Sequence, residues 1–163
     1  MKLRKMVDQI LKYFLIFLMI ILVVDVLWQV FSRYIIGIPS SFTDELAGYL
    51  LIWVGLGGAA YATGTKQHLA IDILPAKLPP EKKKYVDIII NVLIIVFAIA
   101  IMIVGGIWLV YTRFYLGQIS SALQISIGYV YLILPISGFL ILYYAVDDIL
   151  LLVGIRDNKT TNI

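Results

Sequence analysis

The chain has 163 residues, of which 62% are apolar and only 14% are charged, with a mean hydropathy of +1.00 and a formal net charge of +3. A soluble domain usually carries about a quarter of charged residues, so this composition excludes an ordinary water-soluble protein. The absence of Cys excludes disulfides and thiolate metal sites. The basic residues flank apolar stretches, which favours a role in membrane topology over nucleic-acid binding.

The first predicted element is the apolar stretch 13–32, which lies between Lys12 and Arg33. About 20 apolar residues are enough to cross the hydrocarbon layer, so we predict a transmembrane helix here. Asp25 interrupts the stretch, and Gln29 continues a polar stripe toward Arg33 on the same helix face. A carboxylate at this depth costs about 2.5–3.5 kcal/mol on insertion scales. We favour a packing or subunit contact for Asp25, because no second carboxylate accompanies it within the membrane, and an ion or proton site remains the alternative.

The second span is predicted over 44–64, after a turn at 37–40. The capping-box spacing that starts at Ser41 predicts the beginning of the helix, and Asp44 and Glu45 suit its positive end. Small residues four apart let a neighbouring backbone approach closely, so we expect this helix to be buried among others. The predicted helix-packing or subunit-contact residues are Gly55, Gly58, Ala59 and Ala62, together with Asp25 and Gln29 of the first span.

The stretch 65–84 is the one substantial polar loop, and three prolines exclude a continuous helix through it. His68 and Asp72 have a spacing that could place two metal ligands on one helix face. One His and no Cys leave such a site short of ligands, so we predict no metal and assign both residues to the structure of the loop. The cluster Lys82, Lys83 and Lys84 is predicted to be a topology signal and a contact for lipid head groups.

The third span is predicted over 85–112 and the fourth over 129–153. The third stretch would be roughly 42 Å long as a helix, against a hydrocarbon thickness of about 30 Å, so it must tilt or project. Pro135 and Gly138 predict a kink in the fourth span. Asp147 and Asp148, near the end of that span, are expected to be solvated at the membrane surface.

These elements predict an all-α membrane protein, with residues 1–163 forming a single integral membrane domain of four transmembrane helices. Four Lys and Arg residues precede the first span, five lie in the polar loop and two follow the fourth span, whereas each other connection has one. The positive-inside rule therefore predicts that both termini and the loop between the second and third spans face the cytoplasm. The sequence has no phosphate-binding loop, and we predict neither an enzyme nor a cofactor.

Several short sequence motifs, taken together, indicate a protein family more specifically than the composition does. In chain order they are WQVFSRY at 28–34, FTDELA at 42–47, YLLIW at 49–53, GGAAYA at 57–62, HLAID at 68–72 and GQISSALQI at 117–125. They make the chain resemble the small membrane subunit, the DctQ type, of tripartite ATP-independent periplasmic (TRAP) transporters. The resemblance covers about residues 25–138. Phe42 and Ser121 depart from it, because family members often have Trp and Pro at these positions.

The resemblance implies a complex in the bacterial inner membrane, with a large membrane subunit and a periplasmic substrate-binding protein as partners; membrane lipids are the third predicted partner, from the lysine cluster 82–84. It also implies sodium-coupled import of an organic acid, either sialic acid or a C4-dicarboxylate, in which the large subunit holds the substrate and the ions. The small subunit would then be a scaffold. Its expected contacts with the binding protein are the outward-facing residues Arg33, Asp44, Glu45, Arg113 and Gln118.

A second hypothesis comes from a different class of protein. The chain could be a self-sufficient small transporter that works as a homo-oligomer and uses Asp25 as its coupling carboxylate. Since the two hypotheses assign opposite roles to Asp25, substitution of this residue separates them.

Overall fold

The computed structural model describes the backbone of residues 2–38, 40–65 and 80–153, and the side chains within 4–38, 40–65 and 83–153. In these ranges the chain is helical apart from short connections and one isolated β-bridge between Ile119 and Ser126. The all-α fold class is therefore confirmed for the described part of the chain.

Six α-helices and two π-helical stretches make up the described chain. They are α1 (Lys2–Phe31), a π-helical stretch (Ser32–Ile36), α2 (Ser41–Gly64), α3 (Pro80–Phe97), a second π-helical stretch (Ala98–Gly105), α4 (Gly106–Tyr115), α5 (Ile127–Tyr131) and α6 (Ile133–Val153). Within the described ranges they form four spans that are long and apolar enough to cross a membrane. These are the first span (Arg4–Ile36), the second (Ser41–Gly64), the third (Lys83–Tyr115) and the fourth (Ile127–Val153).

The number of spans agrees with the prediction, but their ends differ from it. The first span has 33 residues and extends beyond the predicted 13–32 at both ends. A helix of this length rises about 50 Å, which exceeds a hydrocarbon layer of about 30 Å, so it must tilt or project. Charged residues such as Lys12 mark the edge of the apolar stretch and do not end the helix. The cap of α2 is Ser40, whose Oγ accepts a hydrogen bond from the Thr43 amide at 3.5 Å, so the prediction of Ser41 was wrong by one residue.

The α-helix of the fourth span is interrupted at Leu132, between α5 and α6 and one turn before Pro135, where the sequence predicted a kink. Proline has no amide hydrogen to bond the carbonyl of the preceding turn, and its ring clashes with that carbonyl. The break therefore lies on the N-terminal side of Pro135. The third span crosses it closely, since a Cβ built on Gly106 would lie 3.0 Å from Pro135 Cδ.

The spans contact one another in the order first, second, fourth and third. The fourth span is central and is the most deeply buried of the four. A small core connects the spans through Leu11, Ala60, Ala98, Met102, Ile141 and Tyr144. We call the end of the bundle at which Arg4 meets Gly64 the Arg4 end. The opposite end, at which Glu45 meets the connection 116–126, is the Glu45 end.

Gly138 allows the closest approach of the third span to the fourth. A Cβ at this position would lie 2.8 Å from Met102 Cβ and 2.9 Å from Ile103 Cγ1, and both atoms are close to the backbone. We expect Gly138→Ala to lower the free energy of unfolding by about 1–3 kcal/mol, because the two helices must move apart. Unfolding by SDS in mixed micelles, followed by circular dichroism, measures this loss.

Gly58 provides the matched control, since a Cβ added there meets no atom within 4 Å. Alanine is the better helix former, so Gly58→Ala should stabilise the isolated chain by about 0.5–1 kcal/mol. Equal effects of the two substitutions would contradict the close packing at Gly138.

Candidate functional site

Glu45 attaches the beginning of α2 to the connection between the third and fourth spans. Its carboxylate accepts hydrogen bonds from the amides of Ser121 at 3.1 Å, Ala122 at 2.8 Å and Leu123 at 3.1 Å. It also accepts a hydrogen bond from Ser120 Oγ. Four donors thus converge on one carboxylate, which is the arrangement of an anion-binding nest with the anion supplied by the chain itself. Glu45 is therefore engaged within the chain.

The connection that Glu45 holds is compact. The amide of Ser120 donates to the Ile125 carbonyl at 2.9 Å, and the amide of Ile127 donates to the Gln118 carbonyl at 3.0 Å. Gln124 has a φ of 56°, in the left-handed region that few non-glycine residues adopt. Its side-chain amide donates to the Ser121 carbonyl at 2.9 Å. These bonds give the Glu45 end a defined surface.

Arg113 and Gln118 also contact each other within the Glu45 end. Arg113 Nη1 donates to Gln118 Oε1, and the guanidinium lies over the Tyr131 ring at 5.5 Å from its centroid. Arg113 Nε is buried and has no hydrogen-bond partner among the described residues. Of the five residues predicted to contact a binding protein, only Arg33 and Asp44 are exposed.

Asp25 is buried between the spans, with 7% of its surface exposed. Its Oδ2 has no hydrogen-bond partner in the described ranges. The charged side chain that interacts with it electrostatically is Asp44. Further along the predicted polar stripe, Gln29 is partly buried and Ser32 is buried. Ser32 Oγ donates to the Ile38 carbonyl at 2.6 Å, so it closes the turn after the first span.

A polar cluster at the Arg4 end was not predicted. Arg4 Nη1 lies 2.6 Å from Asp147 Oδ2 and 3.2 Å from Asp148 Oδ1, and Nη2 donates to the Gly64 carbonyl at 2.7 Å. The Tyr144 hydroxyl donates to Asp8 Oδ1 at 2.6 Å. One guanidinium therefore joins the first, second and fourth spans.

The cluster corrects the expectation that Asp147 and Asp148 are solvated, because only 5% and 7% of their surfaces are exposed. The sequence contained a signal for the burial and pairing of these two acids. Two adjacent acids at the end of an apolar helix require a cation when they are buried, and the positive-inside count had already placed Arg4 on the same side of the membrane.

The small residues of α2 lie on two different faces. Gly57, Ala60 and Gly64 face inward, and a Cβ on Gly64 would lie 2.6 Å from the Tyr144 ring. Gly55 and Ala59 are exposed, Gly58 is partly buried, and a Cβ on Gly55 or Gly58 meets nothing within 4 Å. The expectation that this helix is buried among others thus holds for one face only within the described chain.

The remaining predicted residues lie at the polar loop. His68 and Asp72, and the side chain of Lys82, fall outside the described residues. Lys83 and Lys84 are exposed at the beginning of the third span. Among the described residues, no group of three or more His, Asp or Glu side chains could hold a metal ion.

Comparison with known proteins agrees with the helical architecture. Residues 20–154 match the family described as tripartite ATP-independent periplasmic transporters, DctQ component. The sialic acid TRAP transporter small permease protein SiaQ of Vibrio cholerae is 28% identical over 103 residues, which are 63% of this chain and 60% of that protein. A putative TRAP transporter small permease protein of Haemophilus influenzae is 25% identical over 152 residues, which are 91% of this chain and 90% of that protein.

A longer relative contains a similar stretch. The sialic acid TRAP transporter permease protein SiaT of Haemophilus influenzae is 29% identical over 68 residues, which are 42% of this chain but only 11% of that protein. The four spans and the family match over most of the chain make it a multi-pass bacterial membrane protein and a transporter component. The chain belongs to the DctQ family, the small membrane subunits of TRAP transporters.

Proposed function

We propose that this chain is a non-catalytic scaffold, which braces the large membrane subunit and helps to dock a periplasmic substrate-binding protein. The observation that carries the proposal is where the buried polar groups lie. Most of them are bonded within the chain at the two ends of the bundle, around Arg4 and around Glu45. The described part of the bundle interior contains Asp25 but no cation that could hold a carboxylate substrate at membrane depth.

The proposed orientation places the Arg4 end and both termini in the cytoplasm and the Glu45 end in the periplasm, within the bacterial inner membrane. The distribution of Lys and Arg supports this orientation through the positive-inside rule. In this orientation the exposed side chains of Arg33 and Asp44 face the compartment of the binding protein. The hydrogen bonds of Glu45 keep the surroundings of Arg33 and Asp44 in one conformation, which lowers the entropic cost of docking.

The exposed small-residue face of α2 is the proposed contact with the large membrane subunit. Gly55 and Ala59 are four residues apart on that face, and no described atom of the chain covers Gly55. Small residues at this spacing allow close packing of transmembrane helices. The match of SiaT to this chain over only a small part of its length supports a small module working beside a larger permease.

We further propose that the assembled transporter imports an organic acid on a sodium gradient. Two of the relatives are named for sialic acid, which supports sialic acid as the first substrate to test. A C4-dicarboxylate is the second substrate to test. In this scheme the large subunit selects the substrate, and the scaffold residues of this chain do not touch it.

One observation favours a second function, a self-sufficient homo-oligomeric transporter. Asp25 Oδ2 is buried without a hydrogen-bond partner among the described residues, as a coupling carboxylate could be. Against this function, the charged side chain near Asp25 in the described part of the protein is another acid, Asp44. Asp25 therefore has no described counter-charge and no second ligand.

Uptake by vesicles that contain this chain and its large subunit tests the proposal, with the binding protein added at limiting concentration. Reversal of charge at Arg33 should weaken docking without affecting assembly. We expect Arg33→Glu to raise the binding-protein concentration for half-maximal sialic acid uptake about fivefold, and more at low salt, as for a rim charge. Lys84→Glu, which also reverses an exposed cation, should leave this concentration unchanged.

Two further outcomes decide between the functions. Vesicles with this chain alone should not accumulate sialic acid, and Asp25→Asn should transport normally in the complete system. Accumulation by the chain alone, or loss of transport in an assembled Asp25→Asn complex, would overturn the scaffold function in favour of the second one.

A further inference from the structure

An apolar groove runs along the outer face of the first span, and a positively charged side chain lies at one end of it. The groove has a volume of about 520 Å³. Its lining residues are Lys12, Leu15, Ile16, Met19, Ile20, Val23 and Val24 of the first span and Tyr61 of the second. All but Lys12 and Tyr61 are aliphatic, so the groove is a hydrocarbon surface with one cation at its end.

The cation at this end, Lys12, has no ion-pair partner among the described side chains. Lys12 is exposed, and no described side chain forms an ion pair with it, in contrast to Arg4. Lys5 is also exposed and lies seven residues earlier, which is two helical turns and the same face of the first span. Two ammonium groups are therefore aligned above the apolar lining.

The length of the groove corresponds to one leaflet of a bilayer. Lys12 stands at the edge of the apolar stretch, at the level of the lipid head groups. From Lys12 to Val24 the helix rises about 18 Å, and half of the hydrocarbon layer is about 15 Å. The groove thus extends from the head groups to the middle of the membrane.

We propose that this groove is a binding site for an anionic phospholipid, with one acyl chain along Ile16, Met19 and Val23 and the phosphate at Lys12. The phosphate supplies the negative charge that Lys12 lacks within the described chain. An apolar helix of another subunit would cover the aliphatic lining but would supply no negative charge to Lys12. The site does not depend on the proposed docking role or on the substrate, because it lies on the opposite half of the first span from Arg33.

Native mass spectrometry of the full chain tests the site, after extraction from vesicles that contain equal amounts of phosphatidylglycerol and phosphatidylcholine. We expect the wild-type chain to retain one phosphatidylglycerol in preference to phosphatidylcholine. Lys12→Glu should reduce the retained fraction at least fivefold, because the loss of one basic residue near an anionic head group has about this effect and the new carboxylate adds repulsion. Lys12→Arg, which keeps the positive charge at the same position, should not reduce it.

A second pair of variants tests the acyl-chain part without a change of charge. Met19→Trp should fill the groove and lower retention, whereas Phe17→Trp, at the same depth but outside the lining, should not. Circular dichroism of each variant establishes that it is folded. Equal retention of the two lipids, or equal loss in a variant and its control, would overturn the proposal. Loss of the lipid on addition of the large subunit would also overturn it, because the groove would then be a subunit contact.

Discussion

Glu45→Gln should release the connection 116–126 from the beginning of α2. The carboxylate accepts from Ser120 Oγ and from three consecutive amides, and a side-chain amide can satisfy them only in part because it presents donors of its own. We expect the amides of Ser121, Ala122 and Leu123 to exchange hydrogen about tenfold faster or more, since bonds to a charged acceptor are among the stronger ones.

Hydrogen exchange measured by mass spectrometry on the purified chain checks this result. Asp44→Asn is the matched control, because it neutralises the neighbouring acid, which is exposed. Ser120→Ala removes one of the four donors and should give a smaller acceleration than Glu45→Gln. Unchanged exchange of 120–123 in Glu45→Gln would show that Glu45 does not hold the connection.

The release of this connection should also affect docking in the complete transporter. If Arg33 and Asp44 belong to the docking surface, Glu45→Gln should weaken binding-protein-dependent uptake even though Glu45 itself is engaged within the chain. Glu45→Gln would then act by changing the position of the docking surface. Arg33→Glu, in contrast, changes a charge within that surface.

Arg4→Met should cause the largest loss of stability, about 3–5 kcal/mol, because it removes a cation that is bonded to two buried acids. Arg4 bonds Asp147, Asp148 and the Gly64 carbonyl, and so connects three of the four spans. Methionine keeps much of the apolar volume of the side chain, so the loss reports on the charge and the hydrogen bonds. The SDS concentration at the midpoint of unfolding measures it.

Lys5→Met is the control for Arg4→Met, since Lys5 is the next residue and is an exposed cation. This substitution should lower the free energy of unfolding by less than about 0.5 kcal/mol. A double-mutant cycle sharpens the test. Addition of Asp147→Asn to Arg4→Met should restore part of the lost stability, because it removes one of the two buried charges that Arg4 had paired with. Additive losses in the double variant would show that Arg4 and Asp147 do not interact in solution.

Much of the architecture could be predicted because a membrane span depends on local composition. A stretch of about 20 apolar residues is sufficient to cross the hydrocarbon layer, whichever residues surround it in space. The second span illustrates this, since its predicted range 44–64 differs from the observed Ser41–Gly64 only at its beginning. The helix of the first span extends beyond the predicted transmembrane range 13–32, because hydropathy reports where a helix leaves the hydrocarbon and not where its hydrogen bonds end.

The candidate site was harder to predict, because it depends on contacts between distant parts of the chain. Glu45 was predicted to face outward from its position in the first turn of α2, and only its bonds to Ser121 and Ala122, 76 and 77 residues away, show that it is engaged. Likewise, Asp147 and Arg4 are 143 residues apart, and no local pattern pairs them.

The sequence by itself determined that this protein is a four-span membrane protein and which family it resembles, since both follow from residues that are close together along the chain. The tertiary structure alone decided which polar groups are already bonded and which remain exposed, such as Arg33, Asp44 and Lys12. The physical reason is that burial and pairing of a charge depend on which helix packs beside it, and apolar periodicity does not specify that neighbour.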